Sequence, residues 1–264
     1  MKKLFYILLI FVIFILFFYL VQNKENKTEQ GPQKLELESS YNSDSNENNK
    51  DSENSTEINQ EKEQKIINLP EEHNNPVLFT SQAPYANWDK LHDEACEEAS
   101  IIMAYYYLEK KLSLSKKEAE DEIQNMIKFQ EDYFGSHKDL TVSEIIDLSK
   151  EFYQQEFSSK TLTDKKKGLI YLKENLAQEN IFIIPAAGRE LKNPYFKSPG
   201  PLYHALVLTG YDEKAQEFIT NDPGTRHGEN HRYSYDIIWN SIHDFPGKKE
   251  DILKGEKRLI LVEK

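Results

Sequence analysis

Cysteine is almost absent from this chain of 264 residues, which contains a single one, Cys96. A lone cysteine excludes an intramolecular disulfide, and it also excludes the cysteine-rich zinc and iron–sulfur sites. Cationic residues are in deficit as well, because 33 Lys and Arg face 45 Asp and Glu, which gives a formal net charge of -12. Binding of nucleic acid through a basic surface is therefore not expected. No cofactor and no metal are predicted for this chain.

Long apolar runs are also missing, with one exception close to the N-terminus. Residues 4–22 are apolar up to Gln22, and about 20 such residues span a bilayer as a helix. Lys2 and Lys3 precede the run and favour a cytoplasmic N-terminus. A cleaved signal peptide is the alternative, but no small-residue cleavage site follows the run. The sequence predicts an uncleaved signal anchor over residues 1–22 and a single-pass protein of the cell membrane with an extracytoplasmic C-terminal domain.

The rest of the chain divides into a polar segment and a segment rich in aromatic residues. Residues 23–67 consist largely of Asn, Ser, Glu, Gln and Lys, and Tyr41 is their only aromatic residue. Such a segment cannot bury enough apolar surface to offset chain entropy, so it is predicted to be a disordered linker. Residues 68–264 form the predicted folded domain, because about 200 residues suffice for one hydrophobic core.

Hydrophobic periodicity predicts helices in the first half of this domain and strands in the second. Capping boxes at Ser115–Glu118 and Thr141–Glu144 mark the starts of two of the helices. Helices are expected at residues 95–111, 115–134, 141–153, 165–177 and 234–245, and strands at 181–186, 203–211, 217–221 and 258–262. Helices that precede an antiparallel sheet give an α+β fold.

Cys96 lies at the predicted start of the first of these helices. The unpaired N–H groups and the dipole at a helix N-terminus favour an anion, and a nearby imidazolium lowers the pKa of a thiol further. Glu97 and Glu98 oppose this effect, because their negative charge would raise the pKa of the thiol. Cys96 is therefore a candidate nucleophile if a cationic partner outweighs them, and a small buried apolar residue otherwise.

His204 begins one predicted strand, and Asp222 follows the next one. His204 lies nine residues before Glu213 and Asp222 lies nine after it. A hairpin that turns near Glu213 would place the two side chains opposite each other, or within a residue or two of that register. An imidazole oriented by a carboxylate is more basic, and it can hold Cys96 in a thiolate–imidazolium pair. Taken singly, His204 fits a buried core histidine and Asp222 an ordinary turn residue.

Four short sequence elements, in their order along the chain, are similar to the motifs of peptidase family C thirty-nine and its "like" relatives. The resemblance rests on Gln82, on Ala95–Ser100, on His204–Tyr211 and on Asn221–Pro223, and it covers about residues 76–245. The best-known members are papain-like cysteine peptidases that cut bacteriocin leaders after a double glycine. The resemblance therefore implies a papain-like cysteine peptidase fold for the domain.

The resemblance also implies a role for each of these residues. Cys96 is the expected nucleophile, His204 the general base and acid, and Asp222 the residue that orients His204. The side-chain amide of Gln82 is expected to help form the oxyanion hole, with the backbone N–H of Cys96 as the second donor. The chain differs from leader-cutting members in two ways: Glu97 stands where they usually carry glycine, and the 264 residues contain no ABC-transporter portion.

Together these features predict a membrane-anchored extracytoplasmic cysteine peptidase that hydrolyses a peptide or protein substrate through a Cys-His-Asp triad and an acyl-enzyme. Trp88, in the loop after Gln82, is the candidate substrate-binding residue. Two alternatives stay open. One is a catalytically inactive domain of the same fold that binds peptide or cell-wall material, and the other is a peptidoglycan amidase or endopeptidase.

Other polar residues are weaker candidates for a functional role. His92, four residues before Cys96, is the reserve candidate for the base. His227 and His231 are four residues apart, but Glu229 does not stand where a His-Glu-x-x-His zinc motif needs it, so no metal site is predicted. The long loop before His204 supplies further candidates for the rim of a cleft: Arg189, Glu190 and Tyr195.

Overall fold

The structure is a computed structural model that describes residues 69–264. The predicted signal anchor at residues 1–22 and the predicted linker at residues 23–67 lie outside the described residues. Within residues 69–264, no helix is both long enough and apolar enough to cross a membrane.

The described residues form five α-helices at the predicted places. They are α1 (Cys96–Leu108), α2 (Lys116–Phe134), α3 (Val142–Tyr153), α4 (Lys165–Ala177) and α5 (Tyr235–Ser241). Ser115 and Thr141 cap α2 and α3, and both predicted capping boxes are complete. The fifth helix is shorter than predicted, because Ile242 leaves the helix in an extended conformation and bridges to Ala186.

Seven strands form one antiparallel sheet in the described part of the chain. They are β1 (Glu72–Asn74), β2 (Ser158–Thr161), β3 (Ile181–Ala187), β4 (Tyr203–Asp212), β5 (Glu217–Asn221), β6 (His231–Ser234) and β7 (Arg258–Val262). The strand order is β2-β7-β3-β4-β5-β6, and β1 pairs with the end of β4. Strands β1, β2 and β6 were not predicted, because they are short and polar and therefore show no apolar alternation.

The central strands β3 and β4 are buried on both faces, and each face of the sheet supports its own group of helices. Successive residues of β3 point to opposite faces, so Ile183 packs with α1, α2 and α3 while Ile184 packs with α4 and α5. The predicted α+β fold is confirmed. Cys96 is the first residue of α1, which packs on one face of the sheet, whereas His204 is part of strand β4.

Candidate active site

A cavity of about 840 Å³ is lined by residues from both halves of the domain. Cys96 and His204 line it, and so do Gln82 and Trp88. Asp222 is fully buried and contacts the ring of His204. The structure therefore brings together the five residues that the sequence analysis singled out, although they are spread over about half of the chain.

The β4–β5 hairpin explains how His204 meets Asp222. His204 pairs with Ala186 of β3, and its Nε2 atom lies 2.8 Å from Oδ1 of Asp222. Val207 lies opposite Asn221, and a bulge between Leu208 and Gly210 shifts the register by one residue. Continued past Val207, this register puts Asp222 opposite Leu206, so Asp222 is two residues away from the position facing His204. This offset falls within the range expected from the symmetry of the hairpin.

Four donors surround the carboxylate of Asp222. Oδ1 accepts hydrogen bonds from Nε2 of His204 and from the backbone N–H of Gly224, at 2.8 and 3.0 Å. Oδ2 accepts from Nδ2 of Asn193 at 3.0 Å and from the hydroxyl of Tyr233 at 2.5 Å. Burial is the largest single influence and raises the pKa of Asp222, but His204, Tyr233 and Gly224 together lower this pKa below its usual value. Asp222 is thus a stable anion that fixes the ring of His204.

The turn after β5 connects this pair to the loop that contains Gln82. The carbonyl of Pro223 accepts hydrogen bonds from the backbone N–H of Gln82 and from the hydroxyl of Ser81, at 3.0 and 3.1 Å. The residue after Pro223 must be glycine, because a Cβ atom at position 224 would lie 2.8 Å from Cε1 of His204. The Asp-Pro-Gly sequence therefore has a packing function in addition to ending the strand.

The thiol of Cys96 is hydrogen-bonded to its own neighbour in the chain. Sγ donates to Oε2 of Glu97 at 2.9 Å, and Oε1 of Glu97 accepts the backbone N–H of Leu140 at 2.9 Å. Burial raises the pKa of the Cys96 thiol well above its usual value, and the carboxylate of Glu97 raises it further. No hydrogen bond joins Cys96 to His204 among the residues that the structure describes, so their predicted thiolate–imidazolium pair stays a prediction.

Further acidic side chains lie close to the same thiol. Burial raises the pKa of Glu97 well above its usual value, and the charges of Glu98 and Asp139 add to the shift. Asp139 lines the cavity, and burial raises its pKa to about 6 although Lys249 opposes the change. Lys249 is shared between Asp139 and Glu94. The nucleophile side of the cavity therefore disfavours an additional negative charge.

Gln82 and Trp88 are both present in the cavity wall. Nε2 of Gln82 donates to the carbonyls of His92 and Asp93 at 2.8 and 3.2 Å, while the buried Oε1 has no hydrogen-bond partner within residues 69–264. The amide is thereby held against the short 3₁₀ turn His92–Glu94, which leads into α1. A contribution to an oxyanion hole requires one of these two N–H groups to turn toward the substrate. Trp88 is 45% exposed, so its ring is accessible to a ligand.

Comparison with known proteins provides an independent assignment. Residues 75–245 match the model of the Peptidase_C39 like family. The chain belongs to this family. No curated protein matches the chain.

Two solved structures are similar to this Peptidase_C39 like protein at low identity. One, from Bacillus anthracis, is described as a C39-like peptidase; it is 16% identical, with a TM-score of 0.44, and the match covers 74% of this chain and 99% of that one. The other is xylellain, a cysteine protease from Xylella fastidiosa; it is also 16% identical, with a TM-score of 0.33, and the match covers 64% and 81% of the two chains.

The remaining histidine candidates of this Peptidase_C39 like protein have other environments. Both ring nitrogens of His92 are occupied, by Asp89 at 2.8 Å and Glu120 at 3.0 Å, and His92 does not line the cavity. His227 does line it and packs against Tyr195, with the two rings tilted by 32° and their centroids 4.6 Å apart. Within residues 69–264 there is no cluster of three or more side chains that could hold a metal ion.

Several residues with a clear place in this site were missed by the sequence analysis. Asn193 and Tyr233 hold Asp222, and Asp139 and Lys249 line the cavity. The rim candidates divide, since Tyr195 lines the cavity but Arg189 and Glu190 do not. Only the position of Asn193 in the long loop before His204 offered a signal in the sequence. The other three contacts depend on the paths of distant segments.

Proposed function

We propose that this Peptidase_C39 like protein is a cysteine peptidase that hydrolyses peptide bonds through Cys96, His204 and Asp222. One observation carries the proposal: a thiol at the start of a helix and an imidazole backed by a buried carboxylate line the same cavity. These are the groups needed for covalent catalysis by a thiolate. The family assignment supports a peptidase, with a peptide or protein as the substrate.

The reaction begins with a proton transfer from Cys96 to His204. Nε2 of His204 is engaged by Asp222, so Nδ1 is the nitrogen left for the thiol, whose S–H must first turn away from Glu97. The thiolate attacks the carbonyl carbon of the peptide, the C–N bond breaks, and the imidazolium gives its proton to the leaving amine. Water, deprotonated by His204, then hydrolyses the thioester and restores the thiol.

The oxyanion of each tetrahedral intermediate needs donors beside Cys96. The N–H groups in the first turn of a helix have no intrahelical partner, so the backbone N–H of Cys96 is suited to this role. The amide of Gln82 is the second proposed donor, and Trp88 is proposed to contact the substrate on the exposed side of the cavity.

The proposal is tested on the full-length chain in a mild detergent. A peptide library and peptidoglycan fragments are incubated with the protein, and products are identified by mass spectrometry. Cys96→Ala should abolish cleavage, and His204→Ala should lower kcat/KM by about 10⁴-fold or more. His92→Gln, which changes a histidine outside the cavity, should keep most of the activity. The proposal is wrong if the wild-type chain cleaves nothing, or if Cys96→Ala cleaves equally well.

The hydrogen bond from Cys96 to Glu97 favours a second candidate, a domain that binds peptides or wall fragments without cutting them. A thiol kept protonated in this way would be a packing group. In that case the wild-type chain binds members of the library and releases no product. The Cys96→Ala variant should bind them with the same affinity. Release of products from peptidoglycan alone would instead favour an amidase or endopeptidase.

Residues 4–22 are proposed to anchor the protein in the cell membrane, with the folded domain outside the cytoplasm. The full-length chain should then stay in the membrane fraction at alkaline pH, and a chain that starts at residue 23 should be released. Protease added to intact cells should remove the folded domain. Protection from that protease would contradict the proposed orientation.

A further inference from the structure

Glu97 is unusual because it is a carboxylate placed beside the only sulfhydryl group of the chain and hidden from solvent. Its exposed fraction is 1%. Oε2 accepts the S–H of Cys96, and Oε1 accepts the backbone N–H of Leu140. Leu140 belongs to the segment between α2 and α3, so the carboxylate is held from outside α1. The position of Glu97 therefore does not depend on its contact with the sulfur.

The contact has a direct effect on the state of the sulfur. Only the protonated thiol can donate this hydrogen bond, and above the raised pKa of Glu97 a thiolate would face an ionised carboxylate at the same short distance. Buried like charges repel strongly because no water screens them. The hydrogen bond also directs the S–H toward Glu97 and away from His204. The other titratable groups beside the sulfur are Glu98, Asp139 and Tyr203 of β4, whose hydroxyl donates to the carbonyl of Leu140. None of them makes a hydrogen bond to the sulfur within residues 69–264.

We propose that Glu97 restrains the nucleophile: it holds Cys96 as a hydrogen-bond donor and so sets the pH at which the sulfur ionises. The description of Cys96 as the nucleophile rests on the proposed function, but the restraint itself does not. Breaking the Cys96–Glu97 bond is then the first step of activation, and it precedes proton transfer to His204.

The reactivity of the sulfur measures this restraint without any substrate. The full-length chain in detergent is alkylated with iodoacetamide between about pH 5.5 and 10, and the adduct is followed by mass. Every thiol adduct is on Cys96, because the chain has no other cysteine, and peptide mapping separates it from adducts at methionine. The pH midpoint of the rate reports ionisation, since only the thiolate attacks the reagent.

Glu97→Gln is the decisive substitution because it preserves the shape of the side chain. The amide oxygen can still accept the N–H of Leu140, and the amide NH₂ then faces the sulfur without a negative charge. The midpoint should move at least about one pH unit lower. At neutral pH the thiolate fraction then rises about tenfold, and the alkylation rate about threefold, because a less basic thiolate is a weaker nucleophile.

Glu98→Gln is the matched control. Glu98 is the next residue of the same turn and is equally buried, but its Oε1 accepts from Gln130 and faces Nε2 of His137 at 3.4 Å, and within residues 69–264 it makes no hydrogen bond to the sulfur. Its substitution likewise replaces a buried carboxyl group by an amide and should shift the midpoint clearly less. The restraint is disproved if Glu97→Gln leaves the midpoint unchanged or raises it, or if both substitutions shift it equally.

The wild-type chain offers a second measurement in case Glu97→Gln does not fold. The infrared S–H stretching band comes from Cys96 alone, with Cys96→Ser as the blank. A thiol that donates to a carboxylate should absorb at lower frequency than the thiol of a short cysteine peptide in water. An unshifted band would overturn the proposal.

These measurements also separate the restraint from the proposed function. If the midpoint shifts but no library member is cleaved, the peptidase proposal fails and the restraint stands. If peptides are cleaved by the wild-type chain but the midpoint does not shift, the restraint fails and the peptidase proposal stands.

Discussion

Two carboxylates near the cavity, the fully buried Asp222 and the partly buried Asp139, have opposite ionisation behaviour. The pKa of Asp222 is lowered, whereas burial raises the pKa of Asp139 to about 6. Burial acts in the same direction on both groups, so the difference comes from their partners. Asp222 accepts four hydrogen bonds, while Asp139 has one cation, Lys249, which it shares with Glu94. Hydrogen-bond donors decide which buried acid stays charged.

The same contrast separates the imidazole from the thiol. The His204 side is already arranged for its proposed role, because its carboxylate is saturated with donors and its turn is closed by Gly224. The Cys96 side is crowded with acids, and its thiol is bonded to one of them. Ionising the sulfur, and not orienting the ring, is therefore the expected difficulty of the proposed reaction.

The largest effect on this contrast is expected from Asp222→Asn. An amide NH₂ in place of Oδ2 would face the donor Nδ2 of Asn193, and the negative charge behind His204 would be lost. The kcat/KM for the best substrate of the library should fall by about 10² to 10⁴-fold. Circular dichroism should confirm the fold. Activity within about twofold of the wild type would show that His204 needs no orienting anion.

A smaller loss is expected from Gly224→Ala, which keeps every charge. The added methyl group would meet Cε1 of His204 at 2.8 Å and Cε1 of Phe196 at 2.9 Å, so the imidazole must move. A displacement of about 1 Å at a reacting group can cost 10²-fold, and we expect a fall in kcat of about 10- to 100-fold. KM should change little. Wild-type kcat would mean that the ring tolerates displacement and that the His204 side is not rigid.

Tyr233→Phe should have a still smaller effect on activity, about tenfold, and should destabilise the fold by about 2 kcal/mol. The hydroxyl donates to ionised Asp222 and lowers its pKa, so its contribution is present above the ordinary pKa of Asp222. That contribution is lost as pH falls through the lowered pKa of the folded state. Urea unfolding at several pH values should therefore show the largest difference from the wild type near neutrality.

Tyr235→Phe serves as the control for this substitution. It is two residues away, and its hydroxyl donates to the carbonyl of Asp212 rather than to the Asp222 carboxylate. It should leave kcat unchanged and should not show the same loss with acid. Equal behaviour of the two variants would mean that Tyr233 contributes only general packing.

The parts of the fold that were predictable are those with a repeated local signal. The helices have apolar stripes, two have capping boxes, and the buried strands have continuous apolar runs. β2 has no such signal, because its four residues are all exposed and it is held by pairing with β7. Its existence depends on a distant strand, which single-sequence periodicity does not describe.

The contacts of the candidate site also differ in whether a local sequence signal predicts them. The contact between His204 and Asp222 was predictable because a hairpin gives the sequence a fixed mirror point, although the bulge in β4 changed the register. The hydrogen bonds of Asn193 and Tyr233 to Asp222 were not predicted, because the two donors reach Asp222 from separate segments; only the place of Asn193 in the loop before His204 gave a signal. The sequence showed that Glu97 follows Cys96, but not that Leu140 holds its carboxylate against the sulfur.

The smallest expected effect, and the sharpest check of the contrast in ionisation, is the change in pH dependence caused by Asp139→Asn. Between about pH 4 and 6 the carboxyl of Asp139 is ionised in the unfolded chain but protonated in the folded one, so wild-type stability should fall as pH rises. A shift of about two units corresponds to about 3 kcal/mol, and the lost bond to Lys249 offsets about 1 kcal/mol of this. The free energy of unfolding of the variant should therefore exceed that of the wild type by about 2 kcal/mol between pH 4 and 7, in urea unfolding followed by tryptophan fluorescence.

The control is Asp132→Asn, which removes the exposed partner of Lys128 and should change the free energy of unfolding by less than about 0.5 kcal/mol over the same range. If Asp139→Asn instead lost stability toward neutral pH, Asp139 would behave like Asp222, and the two sides of the cavity would not differ in how they treat negative charge.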